Sequence, residues 1–283
     1  MKNYWKSIAA AVLALVMILS LAACGSKDSS VQAPTKVEGN GGSAAYSYDL
    51  DAKSMTVTVT DKVQSKDGNG FDPTYGLVNL GGFSDVKTRN NYLITLDSFI
   101  YNPLFTSGKI KTIVFQFPNR AGAKDQTYKI KASGGKVTKV DFGTESYEYS
   151  YDGGKLEEIS MTTADSKNPY RIVKFHYDGD RIVSYADQAS AGYSNVETTN
   201  FSVSYDSQGR IASIRSSEST TSYSYDGNGR LSAIASSGKF DQKTVSKFTY
   251  DGNGNIARIV GRSTSMKGNS TSSVVFSGYQ TIG

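Results

Sequence analysis

Cysteine, histidine and tryptophan each occur once in the 283 residues, and proline only five times. A lone cysteine excludes an intramolecular disulfide, although a secreted chain would be allowed one. One histidine with no second cysteine excludes the usual zinc sets built from Cys and His. It also leaves His176, in "KFHYD", as the single imidazole available for acid–base work. Its neighbour Phe175 reads as core-facing, so His176 is expected on the outward face of a sheet, away from chemistry. Charge of one sign is missing too. The 31 basic residues stand against 26 acidic ones and no Lys/Arg cluster forms a stripe, which excludes a nucleic-acid partner. Beyond residue 23 a short helix has room only in the turn-rich stretch at 71–91, and nothing longer shows helical spacing with caps, which excludes a helical fold.

The one long apolar run is at the start. Lys2 and Lys6 precede "IAAAVLALVMILSL" (8–21), and "LAAC" closes the segment at Cys24. The run is short for a membrane span and is followed by small residues, the layout of a secretion signal. "LAAC" resembles the lipobox of bacterial lipoproteins, which implies removal of residues 1–23 and acylation of Cys24. Two or three acyl chains, at about 0.8 kcal/mol per buried CH₂, anchor stably where a single chain binds reversibly. The expected location is extracytoplasmic, held by lipid at the bacterial cell membrane or outer membrane. Removing 1–23 takes away Trp5 and two lysines, so 29 basic residues face 26 acidic ones in the mature chain.

Residues 24–44 are Gly/Ser-rich and read as a lipidated cysteine with a flexible tether. Residues 45–127 read as an irregular β region. "SMTVTVTD" alternates Met55, Val57 and Val59 with threonine, and "IKTIVFQF" (110–117) is β-branched and aromatic. The stretch between them is turn-rich. Its Tyr75 and Tyr92, with Tyr101 beyond, are candidates for a ligand platform because an exposed aromatic face can stack on a sugar or peptide.

From 128 to 283 the chain repeats one phrase. "YSYDGGKLEEI" (149–159), "YDGDRI" (177–182), "VSYDSQGRIASI" (203–214), "YSYDGNGRLSAI" (223–234) and "FTYDGNGNIARI" (248–259) share a Tyr-Asp pair, and the tyrosines of successive units are 26, 28, 20 and 25 residues apart. Such self-similarity marks a stacked unit, and turn chemistry identifies it as a β-hairpin. Asp206, Asp226 and Asp251 can accept backbone N–H groups across a type I turn, with Gly209, Gly229 and Gly254 in the left-handed position behind it. Asp152 and Asp178 head turns one residue shorter, which a two-residue primed loop accommodates. Tyr223 and Tyr225 share one face of the incoming strand and Ser222 and Ser224 the other, an antiparallel sheet wet on one side. On the returning strand the aliphatics lie three apart (Leu231 and Ile234), so either a bulge realigns them or both faces are covered. Arg181, Arg210 and Arg230 recur once per unit and are expected to cap a neighbouring turn's aspartate.

"DGNG" also invites a calcium reading. The twelfth position from Asp226 is Ser237 and from Asp251 is Arg262, neither able to supply the bidentate carboxylate of an EF-type loop. No metal and no cofactor are expected.

"YDSQGRI" and "YDGNGRL" resemble the YD repeat of Rhs-type bacterial proteins and the teneurin shell, over roughly 130–262 and most closely as in short YD-repeat lipoproteins. Asn255 departs from the pattern where arginine is usual. The resemblance implies hairpin architecture; five or six units are too few to imply an encapsulating shell. The expected fold is all-β: an open, twisted antiparallel sheet of repeated β-hairpins, with curling into a half-barrel as its variant. The expected role is non-catalytic, a membrane-anchored surface that binds an envelope or extracellular glycan or protein. The alternative is a carrier or chaperone of lipid-like cargo in the concave face of a curled sheet.

Overall fold

The computed structural model describes residues 30–62, 99–100, 102–190, 196–238, 242–265 and 268–282. Its N-terminal part holds β1 (Val31–Ala33), β2 (Lys36–Gly39), β3 (Gly42–Asp49), β4 (Ser54–Asp61), the single-turn helix α1 (Pro103–Thr106) and β5 (Thr112–Gln116). Hairpins follow one another after that: β6 (Gln126–Ser133), β7 (Lys136–Asp141), β8 (Glu145–Asp152), β9 (Lys155–Thr163), β10 (Arg171–Asp178), β11 (Arg181–Ser190) and β12 (Val196–Tyr205). The series continues with β13 (Ile211–Arg215), β14 (Thr220–Tyr225), β15 (Leu231–Ser237), β16 (Lys243–Tyr250), β17 (Ile256–Ser265), β18 (Gly268–Ser277) and β19 (Gln280–Ile282).

Strands β2 to β18 pair in chain order, and β18 pairs back onto β2. All of these pairings are antiparallel except β4 with β5, which run parallel and are joined by the one long crossover. The sheet is therefore closed, a barrel of 17 strands, where the sequence suggested an open one. The residues that close it lie in the segment read as tether. Val274 to Ser277 pair with Gly39 to Lys36, and β2 pairs with β3 from Lys36↔Ala45 to Gly39↔Gly42. A strand with one inward face needs an apolar side chain only at every second residue. In "KVEG", Val37 alone meets that need and is fully buried. The barrel thus begins at β2 rather than near residue 45.

At the seam β1 and β19 continue β2 and β18 as a separate two-stranded ribbon. The Thr35 N–H donates to the Gly278 carbonyl at 3.1 Å, and Val31, Ala33 and Ile282 join the main core. Only glycine fits at 278: its φ is +64°, and a Cβ there would stand 2.0 Å from Thr35 Oγ1.

Circular barrels of 16–18 strands enclose water. Here the inward aliphatics, from Val37 on β2 round to Val274 on β18, are at most 9% exposed and form one cluster. The interior is filled by the protein's own side chains. Part of the filling comes from the crossover, where Phe99 lies 5.2 Å from Phe105 and 5.8 Å from Phe142. Phe142 in turn meets Tyr128 and Tyr147, each at 4.8 Å, on the inward face of β6 and β8. Among the described residues the concave face is lined by these buried side chains.

Candidate functional site

In the three longer turns the aspartate folds over its own loop. Asp226 Oδ1 accepts the N–H groups of Asn228 and Arg230, each at 2.9 Å, and Oδ2 accepts Arg230 Nε at 2.8 Å. The Gly229 N–H donates to the Asp226 carbonyl at 2.9 Å, with Gly229 at φ +77°. Such a left-handed position costs an L-residue about 1–2 kcal/mol. Asp206 binds Gln208 and Arg210 in the same way, and Asp251 binds Asn253 and Asn255, with Gly209 and Gly254 in the equivalent place. At Asp206 and Asp226 partial burial opposes ionisation. The backbone and side-chain bonds from Arg210 and Arg230 outweigh it and hold both carboxyls below their ordinary value.

Asp152 and Asp178 head the shorter turns and pair across the ladder with Lys155 and Arg181. Gly153 and Gly154 both take positive φ, as a type I′ turn demands. Arg210 and Arg230 grip the aspartate of their own turn, not a neighbour's, which corrects the expected inter-turn cap. Lys155 does reach the next turn: its Nζ donates to the Gly179 carbonyl at 2.6 Å and lies 3.0 Å from Asp180.

Past every one of these turns the ladder slips by one residue. Tyr225 pairs with Leu231 but Ser224 with Ala233, and the same shift recurs between His176 and Tyr177, Ser204 and Tyr205, and Thr249 and Tyr250. The bulge realigns residues three apart, so Leu231 and Ile234 are both inward and buried.

The tyrosine of each Tyr-Asp pair ties its unit to the one before. Tyr225 Oη donates to the Ile211 carbonyl at 2.9 Å, and Tyr250 to Leu231 at 2.7 Å. Tyr151, Tyr177 and Tyr205 donate to Val137, Leu156 and Ile182, all at 2.8 Å. The previous unit's cation lies over each ring: Arg210 over Tyr225 at 4.2 Å, Arg230 over Tyr250 at 4.4 Å, and Lys136, Lys155 and Arg181 at 5.1–5.6 Å over Tyr151, Tyr177 and Tyr205. Burial, which disfavours the phenolate, pushes Tyr177 and Tyr205 up to about 12 and raises Tyr225 and Tyr250 more strongly. Two rungs escaped the sequence reading. Tyr48 donates to the Pro34 carbonyl at 3.0 Å and Tyr279 to Ile256 at 2.8 Å. The signal for the first was present: "YSYD" at 46–49 is spelled as it is at 149–152 and 223–226.

All these turns occupy one end of the barrel. Toward the other end, the inward positions of successive strands change character. On β10 buried Phe175 and Val173 give way to Arg171, and on β11 buried Tyr185 gives way to Asp187. On β12 Val203 is followed outward by half-buried Phe201 and Thr199. Beyond Tyr223 and Ile234 stand Thr221 and Ser236, whose hydroxyls are 2.9 Å apart. Arg171 and Asp187 form a bidentate pair, with Nε to Oδ1 at 2.7 Å and the second bond from NH2 to Oδ2. Tyr170 Oη donates to Glu145 Oε2 at 2.5 Å, and Phe201 stacks on Tyr185 at 4.5 Å and 10°. A second bidentate pair, Arg120 with Asp61, has bonds of 2.7 and 3.0 Å, and its guanidinium covers Phe117. The hydrogen bond from Arg171 to Asp187 raises the guanidinium's pKa, and burial raises that of Tyr170 to about 12. Arg171 and Arg120 are each matched by a carboxylate, and Glu145 accepts from a phenol.

Cys24, Tyr75, Tyr92 and Tyr101 lie outside the described residues. His176 is exposed on the outward face opposite Ser184. Among the described residues no three His, Cys, Asp or Glu side chains are grouped to hold a metal ion.

Residues 165–266 match the family model of the teneurin YD-shell. No curated protein matches the sequence. Among solved structures, TcdB2-TccC3 without its hypervariable C-terminal region is 14% identical, with a TM-score of 0.27, over 53% of this chain. This chain spans only 10% of that one. A protein of unknown function from Bacteroides fragilis is 14% identical over 49% of this chain and 91% of its own, with a TM-score of 0.23. A porin-like protein from Bacteroides uniformis is 9% identical over 54% and 89%, with a TM-score of 0.27. Superpositions this loose carry no argument of their own. The matched segment holds the rungs of Tyr177, Tyr205, Tyr225 and Tyr250, and over those residues sequence and geometry agree that the chain carries repeats similar to those of the YD-repeat family.

Proposed function

We propose that the chain is a lipid-anchored, non-catalytic β-repeat module that presents a binding face to a glycan or protein of the cell envelope or its surroundings. One observation carries this reading. In mid-barrel the inward side chains are apolar and buried, among them Val173, Phe175, Tyr185, Val203, Tyr223 and Ile234, whereas toward the end opposite the turns Arg171, Asp187, Thr199, Thr221 and Ser236 take the inward places. Charge pairs at that margin contribute little to stability, which leaves these side chains open to a role in recognition. Catalysis is disfavoured because the acids at this end are already engaged, Asp187 by Arg171 and Glu145 by Tyr170. The anchor rests on "LAAC" and on Cys24 being the sole cysteine.

Two measurements test the proposal. Radiolabelled fatty acid supplied to expressing cells is expected in the wild-type chain and not in Cys24→Ser. Purified mature chain is expected to sediment with envelope preparations at micromolar concentration. A chain that takes up no label, or stays wholly in the supernatant, removes the corresponding half of the proposal.

A further inference from the structure

We infer that the outer wall of the barrel at β16 and β17 is a docking row for a linear phosphodiester polymer of the cell envelope. The row lies on the wall rather than at either end of the barrel, and it rests on the proposed envelope location for its setting alone. The sequence has no run of basic residues there, and antiparallel pairing builds one. In the β16–β17 register Lys243 lies opposite Thr264 and Arg258 opposite Thr249, and on the two outward rungs between them Arg262 and Lys247 each face a valine. Each of the four rungs therefore carries one cation, alternately on one strand and the other, and all four cations are exposed. Successive outward rungs are two residues apart, about 6.8 Å, so the row is about 20 Å long.

No carboxylate of these strands neutralises it. Strands β15 to β18 contain no acidic residue. Among the described residues none of the four cations forms an ion pair. Asp251 is bound within its own turn, and Glu38 on β2 is held by Lys36 at 3.0 Å. Elsewhere on the wall, outward cations meet a carboxylate of the next strand, Lys139 with Glu148 at 2.7 Å and Lys174 with Glu158 at 3.5 Å. Like charges directly opposite each other are destabilising, and diagonal neighbours about 7–8 Å apart are still within reach of long side chains. Four unneutralised cations in file thus repel one another until an external polyanion lies along them. Arg258 is oriented for such a partner: its Nε donates to Ser273 Oγ at 2.8 Å, which leaves the two NH₂ groups for a phosphate.

The shape of the row selects a thread over a plane. Its flanks are neutral, with Ala233 and Ala235 beside it on β15 and Ser273 and Val275 on β18. A bilayer is a plane of charge and attracts a broad basic cluster, not a file two strands wide. Single-stranded nucleic acid binds through aromatic platforms, and the residues facing these cations are threonine and valine. Duplex DNA carries a charge every 1.7 Å of axis, about four times the density of the row. A polyol phosphate chain has one charge per repeat and no bases to stack. It matches a file of evenly spaced single cations.

The test is calorimetric titration of the mature chain with poly(glycerol phosphate), beside single-stranded DNA, dextran sulfate and phosphatidylglycerol vesicles at matched charge. Binding to poly(glycerol phosphate) is expected at micromolar concentration in 50 mM salt. It should fall about fifty-fold by 200 mM, because each of four neutralised phosphates adds about 0.7 to the logarithmic salt slope. Lys247→Gln combined with Arg262→Gln should weaken binding at least tenfold and halve that slope, without lowering the urea midpoint. Lys139→Gln combined with Lys174→Gln, at cations that already have partners, should change it less than twofold. Binding to none of the four probes, or binding that ignores the Lys247 and Arg262 substitutions, overturns the row. Equal or tighter binding to DNA, dextran sulfate or vesicles overturns the phosphodiester polymer as its occupant. Envelope sedimentation that persists when the row fails leaves the binding module standing.

Discussion

The short turns at 152–155 and 178–181 and the long turns at 206–210 and 226–230 carry the same tyrosine rung but hold their cations differently. In a long turn the extra residue lets the aspartate bend over the loop and fix the arginine through Nε, at 2.7 Å in one unit and 2.8 Å in the other. The fixed guanidinium lies over the next tyrosine, its Cζ 4.2–4.4 Å from the ring centroid. In a short turn the loop is closed by two residues of primed geometry, and the cation stands at 5.3–5.6 Å. The rung itself barely changes, from 2.7 to 2.9 Å across both classes. The comparison separates two jobs. Tyrosine joins one unit to the next, while the aspartate–arginine clip is an accessory that one inserted residue makes available.

The largest expected effect tests the invariant part. Tyr250→Ala and Tyr177→Ala should each lose about 3–5 kcal/mol in urea unfolding, as truncations of large buried aromatics do. The Phe variants should lose about 1–2 kcal/mol for a carbonyl left without its donor. A Tyr177 loss well below the Tyr250 loss would break the claim that the rung is equal in both classes. Next comes the clip. Asp226→Ala removes three hydrogen bonds from a half-buried carboxylate and should cost about 2 kcal/mol. Asp152→Ala, in a short turn, should cost less than about 0.5 kcal/mol. Equal losses would mean that the clip adds nothing.

Titration sharpens the same contrast. Asp206 and Asp226 sit below their ordinary value when folded, so their contribution is present above about pH 4 and is lost as pH falls through the lowered values. Asp206→Asn with Asp226→Asn should flatten that acid slope. The rung tyrosines are raised, so their contribution is complete below about pH 10 and is lost as pH rises through the folded values. Phenolate absorbance should appear at Tyr177 and Tyr205 near 12, before Tyr225 and Tyr250. Seeing the reverse order in single Tyr→Phe variants would contradict the assignment. The smallest effect is a gain. Asn255 already donates to Asp251, at 3.2 Å, under the rung of Tyr279. Asn255→Arg should supply the missing cation and add about 0.5–1 kcal/mol, read as a higher urea midpoint.

The hairpins were legible because their turn chemistry is local: Asp226 and Gly229 specify a loop whatever surrounds it. The bulge was half legible. Leu231 and Ile234 posed the right question, and only the register with Tyr225 and Ser224 answered it. Closure was not legible, since it depends on Val274 to Ser277 meeting Lys36 to Gly39 across more than 230 residues. It was also masked by composition, because glycines and a single valine resemble a linker when the partner strand is out of view. The open-end cluster escaped for a similar reason. Arg171, Asp187 and Glu145 come from three strands with no common spacing, and pairing alone places them together.

If Cys24 is acylated as proposed, the early start of the strands sets the height and the heading of the molecule over a bilayer. Were the sheet to begin near residue 45, lipid at Cys24 would hold it on a leash of about 70 Å, free to face any way. With the first strand at Val31, seven residues remain, at most about 25 Å of chain. Directly after that first strand, Pro34 lies at the end where the turns are. A lipid on Cys24 would thus keep the tyrosine-tied rim toward the membrane and aim the far mouth outward, roughly 30 Å beyond it.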